Sequence, residues 1–272
     1  MKRVIALVMA VLMLGVLFVG CSQNNDKPAT ITGPNDLYGA KIGVQEATTG
    51  DIYVRENFTV APEGVDDFVP AQVFPFKSGV NAALDLSNGM VDAVVIDALP
   101  AQRLVAQHTD LMILDQELTV EEYGIAIRKE DTELLANINA AIAAMKADGT
   151  YDALLAKYMP EDGSAPVVEA VDFGDSDEVL VMGTNAEFAP FEYKNEFGNI
   201  VGFDVEMAAY IARFMGKRLV IEDMNFDATL FALKTGTVDI VVAGMTATEE
   251  RKLEVNFSDS YFSASQVIIV KK

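Results

Sequence analysis

GTNAEFAPFEY (183–193), GFDVEMAAYIARFMG (202–216) and VDIVVAGMTATEERK (238–252) decide the architecture of this chain. The first is an apolar run from Val179 that turns into a loop carrying Phe188 and Pro190. In the second, Met207, Ala208, Ile211, Phe214 and Met215 fall on one helical face, which predicts a helix over 204–215 with Asp204 as N-cap and Gly216 as C-cap. The third is a buried-strand pattern, 238–242, that runs into a Thr-rich turn with Arg251 behind it. Further strands are predicted over 179–183, 219–222 and 265–270, and a helix over 228–235. Strands that deliver their C-terminal ends to loops and helices build a ligand crevice in open α/β sheets.

The same grammar fills the first half of the chain. Strands are predicted at 41–44, 71–76, 91–96, 111–114 and 123–128, with helices over 48–57, 80–88 and 100–108. VDAVVI (91–96) has no polar alternation, which predicts a mostly parallel sheet covered on both faces. Leu134, Leu135, Ile138, Ala141, Ile142 and Met145 mark an amphipathic helix, and 151–158 a shorter one. Residues 160–178 are acidic and rich in breakers and read as a linker. The chain therefore divides into two α/β lobes, here called leading and trailing. VDAVVID (91–97) and VDIVVAG (238–244) are alike, and each follows a glycine, Gly89 or Gly236.

At the N-terminus, Lys2 and Arg3 precede an apolar run over 4–19, too short to span a bilayer, and the run ends in Phe18-Val19-Gly20-Cys21. It is similar to a bacterial lipobox, in which residues 1–20 are a signal peptide and Cys21 is lipidated; a plain secretory signal is the alternative. Residues 21–35 read as a tether. Lipidation of the only cysteine leaves no thiol for a disulfide. The 20 basic and 41 acidic residues give a net charge of −21, which repels nucleic acid and anionic membrane surfaces. One histidine, His108, and one cysteine exclude the common zinc sites and Ser/Cys–His triads. No cofactor or metal is expected.

The candidate residues each admit two readings. Arg251 follows Thr246-Ala247-Thr248-Glu249, which has capping-box spacing, so its guanidinium could sit with free N–H groups to hold a carboxylate. It could equally pair with Glu249 or Glu254 on the surface. Asp97 ends a buried strand and could take an ammonium or simply cap the next helix. Thr48-Thr49-Gly50 could grip a carboxylate or only cap. Phe188 and Phe226 could sandwich a ligand or be core. Phe191 and Phe203 read as core.

Their joint order settles these choices. GTNAEFAPFEY, GFDVEMAAYIA, VDIVVAGMTATEERK and NFSDSYFSASQVIIV resemble the first lobe of the bacterial extracellular solute-binding proteins of family 3, the amino-acid receptors of ABC importers. DLYGAKIGVQEATTG, VDAVVIDALPA and YGIAIRKEDTELLANINAAIAAMKADGTYDALLAKYM resemble its second lobe and return through the hinge. The resemblance implies an α/β, two-lobed, periplasmic-binding-protein-like (type II) fold with the ligand cleft between the lobes. The order is reversed, as in a circular permutation. Residues 36–122 are then the second lobe, 123–128 a hinge strand, and 129–272 the first lobe, with 160–178 as permutation linker. One hinge strand is expected to be cut, Val267–Val270 to pair beside 123–128, and both mature ends to lie near the hinge.

The resemblance also implies roles. Phe188 and Phe226 are the aromatic walls, Gly244 a backbone acceptor, Thr246 and Thr49 hydroxyl ligands, Arg251 the carboxylate binder and Asp97 the ammonium binder. Asn185 stands where the family carries a specificity residue, often acidic, and with Gln45 and Glu187 nearby both polar neutral and basic amino acids remain open. The function implied is a monomeric, exported, lipid-anchored amino-acid receptor and not an enzyme. It would be held by the anchor alone on the outer face of the cell membrane or the periplasmic side, with an ABC permease as partner. The alternatives are a cyclohexadienyl dehydratase-like enzyme on the same scaffold, using Glu46, Glu187 or Asp97, and a sensor ectodomain, against which no transmembrane segment follows Lys272.

Overall fold

The unbroken apolar runs become the central strands of two sheets. The computed structural model describes residues 30–61, 64, 68–160, 164, 166, 168 and 170–272. The leader and Cys21, on which export and anchoring rest, lie outside the described residues. The leading lobe comprises β1 (Lys41–Gln45), α1 (Thr49–Phe58), β2 (Gln72–Phe76), α2 (Gly79–Ser87), β3 (Ala93–Asp97), α3 (Ala98–Gln107) and β4 (Leu111–Ile113). After β5 (Glu121–Tyr123) come β6 (Ala126–Ile127), α4 (Thr132–Ala147), α5 (Thr150–Tyr158), β7 (Val179–Thr184), β8 (Glu187–Phe188), β9 (Glu192–Lys194) and β10 (Ile200–Val201). The chain continues through α6 (Phe203–Phe214), β11 (Arg218–Asp223), α7 (Phe226–Lys234), β12 (Ile240–Val241), α8 (Glu249–Glu254), β13 (Asn256–Phe257), β14 (Phe262–Ala264) and β15 (Gln266–Lys271).

The leading sheet runs β2-β1-β3-β15-β4, and the trailing sheet β11-β7-β12-β6-β13. In each, four strands run in one direction and one, β15 or β6, runs antiparallel between its two neighbours. A small sheet β10-β9-β8 carries the aromatic loop, and β5 pairs with β14 between the lobes.

Four expectations about the hinge are corrected. The run 123–128 is two strands, because it breaks at Gly124, whose Cα faces the Phe257 ring and whose N–H goes to the Met245 carbonyl. The connection between lobes is the antiparallel pair β5–β14, with Phe262 opposite Tyr123 and Ala264 opposite Glu121. Val267–Val270 does not pair beside 123–128. It lies between β3 and β4 in the leading sheet. Four consecutive apolar residues need burial on both faces, and this place supplies it: Val267 and Ile269 enter one core, Ile268 and Val270 the other. Both hinge strands are therefore continuous, and neither is cut. The trailing end of the chain also lies away from the hinge. β15 runs antiparallel to β3, so Gln266 sits beside Asp97 at the cleft, while Lys272 bonds to Asp110 and Thr109 at the opposite end of the sheet.

Two segments expected to be free are packed. Ile31, inside the predicted tether, is buried in the leading core with Leu37. In the predicted linker, Val168, Val171 and Phe173 pack on the main core, and Leu219 donates its N–H to the Phe173 carbonyl. Phe191 and Phe203 are core as expected, in an aromatic cluster with Tyr123 and Phe262.

Candidate functional site

Asp97 closes β3 where α3 begins. Its backbone occupies the N-cap position, yet its side chain makes no capping bond and instead accepts from the Tyr123 hydroxyl at 2.5 Å. The carboxylate, 5% exposed, is thus turned into the cleft. Burial, assisted by the neighbouring Glu121 charge, raises its pKa to about 7.

Arg251 comes from the trailing lobe. The helix behind the Thr-rich turn begins later than the capping-box spacing predicts: Thr248, not Thr246, is the N-cap, accepting from the Arg251 N–H at 3.2 Å. The guanidinium is buried. One nitrogen donates to the Thr246 carbonyl and another crosses to the Ala47 carbonyl of the leading lobe, both at 2.9 Å. The Phe226 ring lies 5.4 Å from the guanidinium carbon, a cation–π contact that orients it.

The turn before Arg251 is tied to the hinge by Gly124 N–H to Met245 O and Ala247 N–H to Glu122 O, with Thr246 opposite Tyr123. Gly244 has φ +52°, and a Cβ there would stand 2.6 Å from the Phe188 ring, so the position needs glycine. Its N–H donates to Asp204 at 2.9 Å, which leaves the Gly244 carbonyl as the acceptor. Asp204 is therefore not the N-cap of α6, a role that falls to Gly202. It is a fully buried carboxylate that also receives the Tyr261 hydroxyl at 2.8 Å.

Opposite this wall, Thr48 caps α1 and Thr49 donates its hydroxyl to Glu121 at 2.8 Å. Gln45 donates its side-chain amide across the cleft to the Asn185 oxygen at 2.8 Å, and Asn185 donates onward to the Met224 carbonyl at 3.0 Å. Glu187 is exposed and takes no part.

All nine predicted residues line one cavity: Gln45, Thr49, Asp97, Asn185, Phe188, Phe226, Gly244, Thr246 and Arg251. The cavity is narrow, with about 10 Å³ open to the centre of a water molecule. Thr48, Ala243 and Glu192 complete the lining. Glu192 was not anticipated. In FEY it reads as the polar half of a strand alternation, but it is 1% exposed and faces the cavity. Burial and the adjacent Asp204 hold its carboxyl well above the usual carboxylate range, while burial raises Asp204 to about 6. Neither Glu192 oxygen has a hydrogen-bond partner among the described residues. The one signal available in the sequence was an acidic residue directly after the Pro190-Phe191 step, and Glu187 in the same loop offered a similar one.

The arrangement offers a buried cation from one lobe, a carboxylate from the other, a hydroxyl-rich wall between them and a second carboxyl at the aromatic end. Among the described residues no group of acidic, histidine or cysteine side chains could hold a metal ion.

The chain belongs to the bacterial extracellular solute-binding proteins, family 3, whose model matches residues 23–161 and 180–272. Among its relatives, it is similar to the arginine-binding extracellular protein ArtP of Bacillus subtilis, 50% identical over 93 residues, 34% of this chain and 36% of the relative. It is also similar to a probable histidine-binding protein of Neisseria gonorrhoeae, 39% identical over 95 residues, 35% of each chain. The L-cystine-binding protein TcyJ of Escherichia coli K12 is 34% identical over 134 residues, 49% of this chain and 47% of that one. The matched segments thus span between about a third and a half of these relatives.

Proposed function

We propose that this protein is an extracytoplasmic receptor that binds a free basic amino acid between its lobes and presents it to an ABC importer. The observation that carries this reading is the placing of Arg251 and Asp97, one from each lobe, on the wall of one cavity. The ligand carboxylate meets Arg251, and the ammonium meets Asp97, the Gly244 carbonyl and the threonine hydroxyls. Phe188 and Phe226 border the side chain, and Glu192 receives its cationic end. Asn185, held by Gln45 and Met224, supplies hydrogen bonds rather than charge, so Glu192 carries the preference for a basic ligand. Relatives named for arginine and histidine binding support the same class.

In this reading the ligand bridges the lobes and favours closure about β5–β14. The anchor is the lipid on Cys21, and the chain order is a circular permutation of the family. Ile42, Ala93 and Val270 lie side by side on adjacent strands, so the segments the permutation would separate are roughly 10 Å apart. Such proximity is what a permutation requires.

A thermal-shift screen of the twenty amino acids tests the assignment, because a ligand of the native state raises its melting point. Arginine, lysine or histidine should give the largest shift. A shift with prephenate or arogenate, and turnover of either, would replace the receptor by the dehydratase reading.

A further inference from the structure

Glu121 lies in hinge strand β5 and belongs to neither wall of the cavity. Its carboxylate is 6% exposed and is met by hydroxyl protons alone among the side-chain donors described: Thr119 on one oxygen at 2.9 Å, Thr49 and Thr246 on the other at 2.8 and 2.6 Å. Thr49 belongs to the leading lobe and Thr246 to the trailing one, so a single carboxylate oxygen joins the cleft-lining hydroxyls of both lobes.

A threonine hydroxyl has one proton and two lone pairs. With the proton committed to Glu121, it can only accept from anything in the cleft. Thr49 spends one lone pair on the side-chain amide of Gln266 at 3.2 Å and keeps one; Thr246 keeps both. These hydroxyls therefore cannot donate to a carboxylate while Glu121 is bound to them. They suit an ammonium, and Gln266, which donates to Thr49, pairs beside Asp97.

We propose that Glu121 is a positioning residue that sets the polarity of Thr49 and Thr246. By taking both protons it makes the threonines acceptors for the ligand ammonium and leaves the ligand carboxylate to Arg251. Because the two donors come from different lobes, the pair of bonds forms as the lobes meet, and polarity is set by closure. This rests on the amino-acid-binding reading above. It assigns Thr49 the ammonium and not the carboxylate that its position at a helix start suggested.

The test pairs L-arginine with 5-guanidinopentanoic acid, the same molecule without its ammonium, in calorimetry on the native protein and Glu121→Ala. Alanine at 121 accepts neither hydroxyl proton, so those of Thr49 and Thr246 are free to turn toward the cleft. Arginine affinity should then fall about tenfold or more, the scale of a hydrogen bond to a charged group, while affinity for the des-amino acid is unchanged or higher. Equal losses for both ligands, or no loss for either, overturn the proposal. If Glu121→Ala melts too low to study, Thr246→Val tests the same oxygen: it should cost arginine affinity and spare the des-amino acid, and the opposite pattern overturns the proposal. If native protein binds no amino acid, the receptor reading fails. If it binds arginine and the ratio of the two affinities survives substitution, only the role of Glu121 fails.

Discussion

The side-chain amide of Gln45 and the side-chain oxygen of Asn185, 2.8 Å apart and both buried, join the two lobes directly across the ligand cleft. Each residue is held by its own lobe, Gln45 at the end of β1 and Asn185 by its second bond to Met224. The contact exists only while the lobes are together. Gln45→Ala leaves the Asn185 oxygen without that donor, at about 1–3 kcal/mol for a buried group. The loss should appear in closure and not in folding: ligand affinity falls roughly tenfold by calorimetry, with the melting temperature of the free protein nearly constant.

Arg251 is the one cationic side chain described on the cavity wall, bonded to Thr246 in its own lobe and to Ala47 in the other. Arg251→Ala should weaken amino-acid binding at least about a hundredfold while circular dichroism stays native. Arg251→Lys should not restore it, because an ammonium cannot span both carbonyls and stack on Phe226. Unchanged affinity in the alanine variant would remove Arg251 from the site.

Glu192 faces the cavity, and burial beside the Asp204 charge holds its carboxyl well above the usual carboxylate range. Glu192→Gln keeps the shape and can still donate to Asp204, so stability should hold. Arginine affinity should drop roughly tenfold or more, since a cationic ligand end loses an ionisable partner, whereas glutamine affinity should not. A uniform loss for both ligands would show that the ligand's charged end lies elsewhere.

The buried acids set the pH response. Burial raises Asp97 to about 7 and Asp204 to about 6, and it holds Glu192 well above the usual carboxylate range. Between the ordinary carboxylate range, about 4, and pH of about 7 the folded state holds protons that the unfolded chain has lost. Stability of the free protein should therefore fall as pH rises through that window, read as a declining melting temperature. Ligand affinity should run the other way, because the ammonium needs Asp97 ionised. Calorimetry at about pH 6 in buffers of different ionisation enthalpy should show proton release on binding.

β15 closes the leading sheet from the far end of the chain, and Ile268 is fully buried between β3 and β4. Ile268→Ala should cost about 3 kcal/mol and lower the melting temperature by roughly 6–12 °C. Removing residues 266–272 should abolish cooperative unfolding of the leading lobe, because β3 and β4 lose their common partner.

By itself the sequence determined the two α/β lobes and most strands and helices to within two residues. These follow from local signals: unbroken apolar runs, helical spacing, and loops placed at strand ends. The cleft residues kept two readings each on those signals, and only the resemblance to the family chose between them. Only the tertiary structure decided which strands cross between the lobes, where β15 inserts, and what Glu121, Tyr123, Glu192 and Asp204 do. Strand pairing joins residues far apart in the chain, as Gln266 joins Asp97. The role of a carboxylate depends on the donors folded around it. Glu192 and Glu187 look equivalent in the loop, yet one is sealed against Asp204 and the other faces water. Burial, which no short stretch of chain fixes, makes the difference.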